Sequence, residues 1–96
     1  MIRAKTVASL FRYEKRWIKG EIARAKCGIN MVPTNSTDPD ACQWCLLGAI
    51  YKVYPDNTDE IISKLCCLIG IRIANWNDVP ERTFKQVKAL VKKAGI

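Results

Sequence analysis

AKTVASLFRYEKRWIKGEIARAK, residues 4–26, is the stretch whose conformation decides how the rest of the chain can pack. Wound as a helix at about 100° per residue, it gathers Val7, Leu10, Phe11, Trp17, Ile18, Ile22 and Ala25 into one apolar arc. Lys5, Arg12, Lys19 and Lys26 recur every seven residues on the opposite side, joined by Lys15 and Arg16. The periodicity therefore predicts a first helix with a core face and a basic, solvent-facing stripe. Gly20 weakens its middle by roughly 1 kcal/mol relative to alanine, and Gly28 is placed to close it as a left-handed cap. Glu14 and Glu21 fall inside the apolar arc. They either reach its edge to pair with Arg3 or Arg24, or form buried carboxylates.

Outward from that segment, Ile29 to Thr37 holds Pro33, Asn35 and Ser36 and is expected to be a loop. Asp38-Pro39-Asp40 carries the residue types of a helix start, predicting a second helix to about Val53. Pro55-Asp56-Asn57 forms a turn and Thr58 caps a third helix through Ile69, whose β-branched end, Ile69 to Ile73, has a short strand near 69–74 as its alternative. Asp78 with Glu81, and Thr83 with Gln86, each have capping-box spacing for a last helix bearing Phe84, Val87, Val91 and Ala94. The expected fold class is all-α: one domain over residues 1–96, a compact bundle of four to five helices.

Composition bounds function. The 96 residues include 49% apolar and 26% charged, which suits a globular domain and excludes a disordered tail. The formal charge is +7, with eight bases in residues 1–28, five acids against Lys52 in 29–60, and seven bases in 61–96. Such basic ends permit attraction to nucleic acid or to an acidic protein. The five cysteines are an odd number, and the amphipathic opening differs from a uniformly apolar leader. Both favour the cytoplasm, and no run approaches the length of a membrane span.

Catalytic chemistry is scarce. There is no histidine, which removes Cys-His and Ser-His arrangements. Asp38 with Asp40, and Asp56 with Asp59 and Glu60, are acids where helix starts want them. Cys42 and Cys45 have CxxC spacing, and Cys66 and Cys67 could add two thiols for zinc. Adjacent helical cysteines diverge by about 100°, however, so buried thiols without metal or cofactor are the expectation. The contact surface expected from charge is Lys5, Arg12, Lys15, Arg16, Lys19 and Lys26 with Lys85, Lys88 and Lys92.

Three patches carry a resemblance. Trp17-Ile18-Lys19-Gly20, then Asp40-Ala41-Cys42-Gln43-Trp44-Cys45-Leu46-Leu47-Gly48-Ala49-Ile50, and finally Trp76-Asn77-Asp78 with Arg82-Thr83, Val87 and Leu90 resemble a family of short proteins of unknown function from bacteria and their phages. Cys27, Cys42, Cys66 and Cys67 fall outside that pattern, which further lowers the zinc reading. The resemblance implies a helical fold and no activity. Its residues suggest a close-packed core face of Trp44, Cys45, Gly48 and Ala49 and a turn at Asn77 with Asp78 capping the helix that follows, with a pocket of Trp44, Cys45, Trp76, Asn77 and Asp78 as the functional alternative. A non-catalytic interaction module is the expected function, encoded by a phage or serving as a bacterial accessory protein, with a protein partner and inhibition of a host defence complex as one use. A basic nucleic-acid-binding accessory protein is the alternative. A small-ligand binder or enzyme centred on Trp76-Asn77-Asp78 is the third.

Overall fold

The computed structural model describes residues 2–27 and 29–96. The elements in chain order are α1 (Val7–Leu10), a 3-10 turn (Glu14–Arg16), β1 (Ala23–Cys27), β2 (Asn30–Thr34), β3 (Ala41–Trp44), α2 (Leu46–Val53), α3 (Thr58–Ile69), α4 (Ile73–Asn77) and α5 (Phe84–Ala94). The strands form one antiparallel sheet in the order β2-β1-β3. The architecture is α+β, which corrects the expected all-α bundle.

The correction starts in the opening segment. Thr6 caps α1 by accepting the Ser9 N–H at 3.0 Å, yet the helix stops after one turn at Phe11. Tyr13 and Trp17 are extended, and Gly20 has a φ of 82° that suits glycine. Then Ala23 and Ala25 are buried, Arg24 is half-buried and Lys26 is exposed. That alternation has the period of a strand. Ala, Arg and Lys favour helix by only fractions of a kcal/mol each, and pairing along both edges of β1 outweighs the preference. The long basic stripe consequently does not exist as a helix face. The proposed cap at Gly28 lies outside the described residues, as does the Cys27 side chain.

The expected loop and second helix are also redrawn. Met31 to Thr34 pair with β1, and Pro33 is tolerated because β2 is an edge strand. Asp38 organises a turn instead of a helix start: its carboxylate accepts the Thr34 hydroxyl at 2.5 Å and the Asp40 N–H at 2.9 Å. In β3 the register moves from Arg24 opposite Gln43 to Ala25 opposite Ala41, leaving Cys42 as the extra residue of a bulge. Helix α2 starts only after Cys45, whose Sγ accepts the Gly48 N–H at 3.3 Å.

The C-terminal half follows the sequence more closely. Thr58 is the first residue of α3 and not its expected cap: Asn57 holds the cap position, the Thr58 hydroxyl donates to the Tyr54 carbonyl at 2.5 Å, and the helix closes on Gly70, whose φ of 74° is left-handed. No strand forms at 69–74, because that cap turns the chain and Ile73 begins α4. Asp78 ends α4 and does not start a helix, a second correction. The predicted capping box of Thr83 and Gln86 does open α5.

One core cluster joins the elements, with Val7, Leu10, Phe11, Trp44, Leu46, Ile50, Leu65 and Val87 fully buried. The Ile96 main-chain oxygen accepts the Val7 N–H at 2.6 Å and the Tyr54 hydroxyl at 2.7 Å, drawing α1, α2 and the end of α5 together. Gly48 lets α2 approach the sheet entry: a Cβ there would stand 2.0 Å from the Ile22 carbonyl oxygen. Among the described residues no helix is long and apolar enough to cross a membrane.

Candidate functional site

The motif residues come together around one buried amide. Asn77 is 0% exposed. Its Oδ1 accepts the Trp17 indole N–H at 2.6 Å and the Leu46 N–H at 3.0 Å. Its Nδ2 donates to the Ile18 carbonyl at 3.0 Å and to Asp78 Oδ1 at 2.9 Å. Asp78 Oδ1 also accepts the Gly20 N–H at 2.9 Å, and Lys19 Nζ donates to the carbonyls of Val79 and Pro80 at 2.8 and 2.9 Å. The Ile18 N–H meets the Trp44 carbonyl at 3.0 Å. All four hydrogen-bonding positions of the Asn77 amide are thus used internally, which is the arrangement of a structural clasp.

The pocket expected at Trp44, Cys45, Trp76, Asn77 and Asp78 is largely filled by these contacts. Trp44 is buried and donates its indole N–H to the Ser36 carbonyl at 3.0 Å. The Trp76 ring is covered by the Arg82 guanidinium, 3.8 Å from its centroid, while Arg82 Nε donates to the Trp76 carbonyl at 2.9 Å. Cys45 and Asp78 line a cleft of about 140 Å³ shared with Gly20, Glu21, Ile22, Leu47 and Ala74. Burial pushes the Cys45 thiol pKa up, so it stays protonated and unreactive at neutral pH.

The basic residues of the opening segment separate into two groups. Lys5, Arg12, Lys15 and Lys26 are exposed. Lys19 is committed to the Val79 and Pro80 carbonyls, and Arg16 donates to the Leu10 carbonyl at 3.2 Å. Glu21 pairs with Arg24, and that hydrogen bond holds its carboxyl below the usual range. Glu14 is exposed, so neither acid is a buried carboxylate. Among the described residues no three potential metal ligands of His, Cys, Asp or Glu type cluster.

A larger concavity lies elsewhere. A trough of about 800 Å³ runs between α1 with the following turn and α5, lined by Ala8, Phe11, Glu14, Phe84, Lys85, Lys88, Ala89, Val91 and Lys92. Phe11 and Val91 form a buried floor, and Phe84 meets Phe11 edge-on at 6.4 Å between ring centroids. Ala8 and Ala89 keep the walls low. Lys85, Lys88 and Lys92 stand along one side, and Lys88 Nζ lies 5.7 Å over the Phe84 ring. Three of the basic residues picked from charge therefore edge this trough, and the rest do not. Ala8, Phe11, Glu14, Phe84, Ala89 and Val91 lie outside the contact surface expected from charge. The spacing of Lys85, Lys88 and Lys92 marks one edge, but the facing wall depends on where α1 stops.

The family of unknown function (DUF6197) has a family model that matches residues 6–95, and the chain belongs to that family. No curated protein matches the chain, and no solved structure does.

Proposed function

We propose that this DUF6197 member is a non-catalytic interaction module, a cytoplasmic accessory protein of a bacterium or phage that binds a protein partner in the trough between α1 and α5. The observation that carries the reading is an apolar floor of Phe11, Phe84 and Val91 bounded by Lys85, Lys88 and Lys92. An apolar centre with a charged rim is the anatomy of protein contact faces. Inhibition of a host system, such as a defence complex, is a use compatible with a small basic chain. The test is affinity capture from nuclease-treated host lysate with the native protein and with Ala89→Trp, which fills the trough. A partner retained by the native protein and lost by the variant supports the reading. A partner captured equally by both overturns it.

Nucleic acid is the second reading, and one observation favours it. The exposed Tyr13 ring has Arg12, Arg16 and Lys15 within 6.0, 4.9 and 5.7 Å of its centroid, a basic aromatic cluster suited to a stacked base beside phosphates. Binding of an arbitrary oligonucleotide that weakens steeply with salt and vanishes in Tyr13→Ala would promote it.

A further inference from the structure

We propose that the occupant of the trough is an amphipathic helix of a partner protein, with a row of carboxylates along the edge that meets α5. This rests on the trough being the contact face, and it specifies the conformation and charge of what fills it.

The first argument is backbone accounting. One wall of the trough is α5, an eleven-residue helix whose central main-chain groups are spent within it, and the floor is aromatic and aliphatic. An extended peptide laid there would bury N–H and C=O groups with no partners. A helix satisfies its own and presents only side chains.

The second argument is the charge row. Lys85, Lys88 and Lys92 follow a spacing of three and four residues on α5, so the first and last are separated by about 10.5 Å along the axis at 1.5 Å per residue. Carboxylates spaced three and four apart on a second helix running beside α5 repeat at the same rise, so every lysine meets a partner. Acids at alternate positions of a strand advance by about 6.8 Å and fall out of step. Glu14 stands at the trough among the lining residues contributed by the other wall. The occupant's far edge is therefore expected to carry a base, and its middle to carry apolar residues at helical spacing over Phe11, Phe84 and Val91.

The test uses the full chain and three fluorescein-labelled peptides of about four helical turns, read by fluorescence anisotropy. One is an amphipathic helix with leucines on one face and glutamates along one edge. The second has the same composition apart from two central prolines that break the helix. The third carries lysine in place of glutamate. Preference for the acidic helix over both others by about tenfold or more is expected, with inversion toward the lysine peptide in K85E/K88E/K92E and loss of binding in A89W. Circular dichroism confirms that each variant is folded. Equal binding of the proline peptide, abolished by A89W, would overturn the helix while leaving the trough as the contact face. Equal binding of the lysine peptide would overturn the charge assignment. If no peptide binds while A89W still loses the captured partner, the helix inference fails alone; if A89W loses nothing, both readings fail. Sedimentation showing self-association that A89W abolishes would make the occupant a second copy of this chain, against the proposal.

Discussion

Asn77 and Trp17, separated by 60 positions, are joined by a 2.6 Å hydrogen bond from the indole N–H to the amide oxygen. The same oxygen takes the Leu46 N–H at the start of α2, so one side chain ties the opening segment, the sheet-to-helix junction and α4 together. Replacing Asn77 by leucine strips partners from Trp17, Leu46, Ile18 and Asp78 at once, and buried orphaned groups cost about 1–3 kcal/mol each. Because some of those groups will find water, a net loss of about 3 kcal/mol is expected. Urea unfolding of Asn77→Leu checks it. A change under about 1 kcal/mol would mean that the clasp contributes little.

Gly48 makes a second, independent prediction. Any side chain there drives a Cβ to 2.0 Å from the Ile22 carbonyl oxygen, which is backbone and cannot swing away. Gly48→Ala is therefore expected to destabilise by about 2–3 kcal/mol, although alanine is the better helix former. A stabilised Gly48→Ala in thermal melts would show that the sheet entry gives way easily.

Thiol chemistry separates the cysteines. Cys67 is exposed and Cys45 is buried, so iodoacetamide at neutral pH should label Cys67 first and reach Cys45 only on unfolding, as read by peptide mass spectrometry. Burial raises the Cys45 pKa, so the folded chain holds that proton more tightly than the unfolded chain does. Its titration leaves stability unchanged below the ordinary thiol pKa of about 8.5 and lowers it as pH rises past that value. Cys45→Ser retains a capping oxygen and should flatten that alkaline limb.

Asp38 acts on the opposite limb. The Thr34 hydroxyl first, and the Asp40 N–H second, hold its carboxyl below the ordinary carboxylate range. A depressed folded pKa adds stability above the unfolded value of about 3.9, and that contribution is lost as pH falls through the folded value. Thr34→Val should move the Asp38 midpoint upward in an NMR titration of its carboxyl carbon. An unmoved midpoint would assign the shift to the turn backbone alone.

Arg82 offers a last test. Its guanidinium lies 3.8 Å from the Trp76 ring centroid while Nε binds the Trp76 carbonyl. Lysine has neither the flat face nor the fork, so Arg82→Lys should cost about 1 kcal/mol in a urea melt and raise exposure of Trp76 to acrylamide quenching. Unchanged quenching would place the ring's cover elsewhere.

What the amino-acid order settled by itself lies mainly in the C-terminal half. The Thr83 with Gln86 box is a local signal whose partners sit three residues apart, and α5 begins where it predicts, while α3 begins within one residue of the place that Thr58 marked. A family of unknown function was expected as well, and a family model of that kind matches residues 6–95. The sheet was not legible, because Ala23-Arg24-Ala25-Lys26 satisfies a helical period and a strand period equally and its choice is made by two edges supplied from residues 30–34 and 41–44. The clasp around Asn77 and the trough beside α5 likewise exist only once distant segments meet. Hydrogen bonds across 60 positions and a cavity between two helices are relations in space, and no window along the chain contains both sides of either.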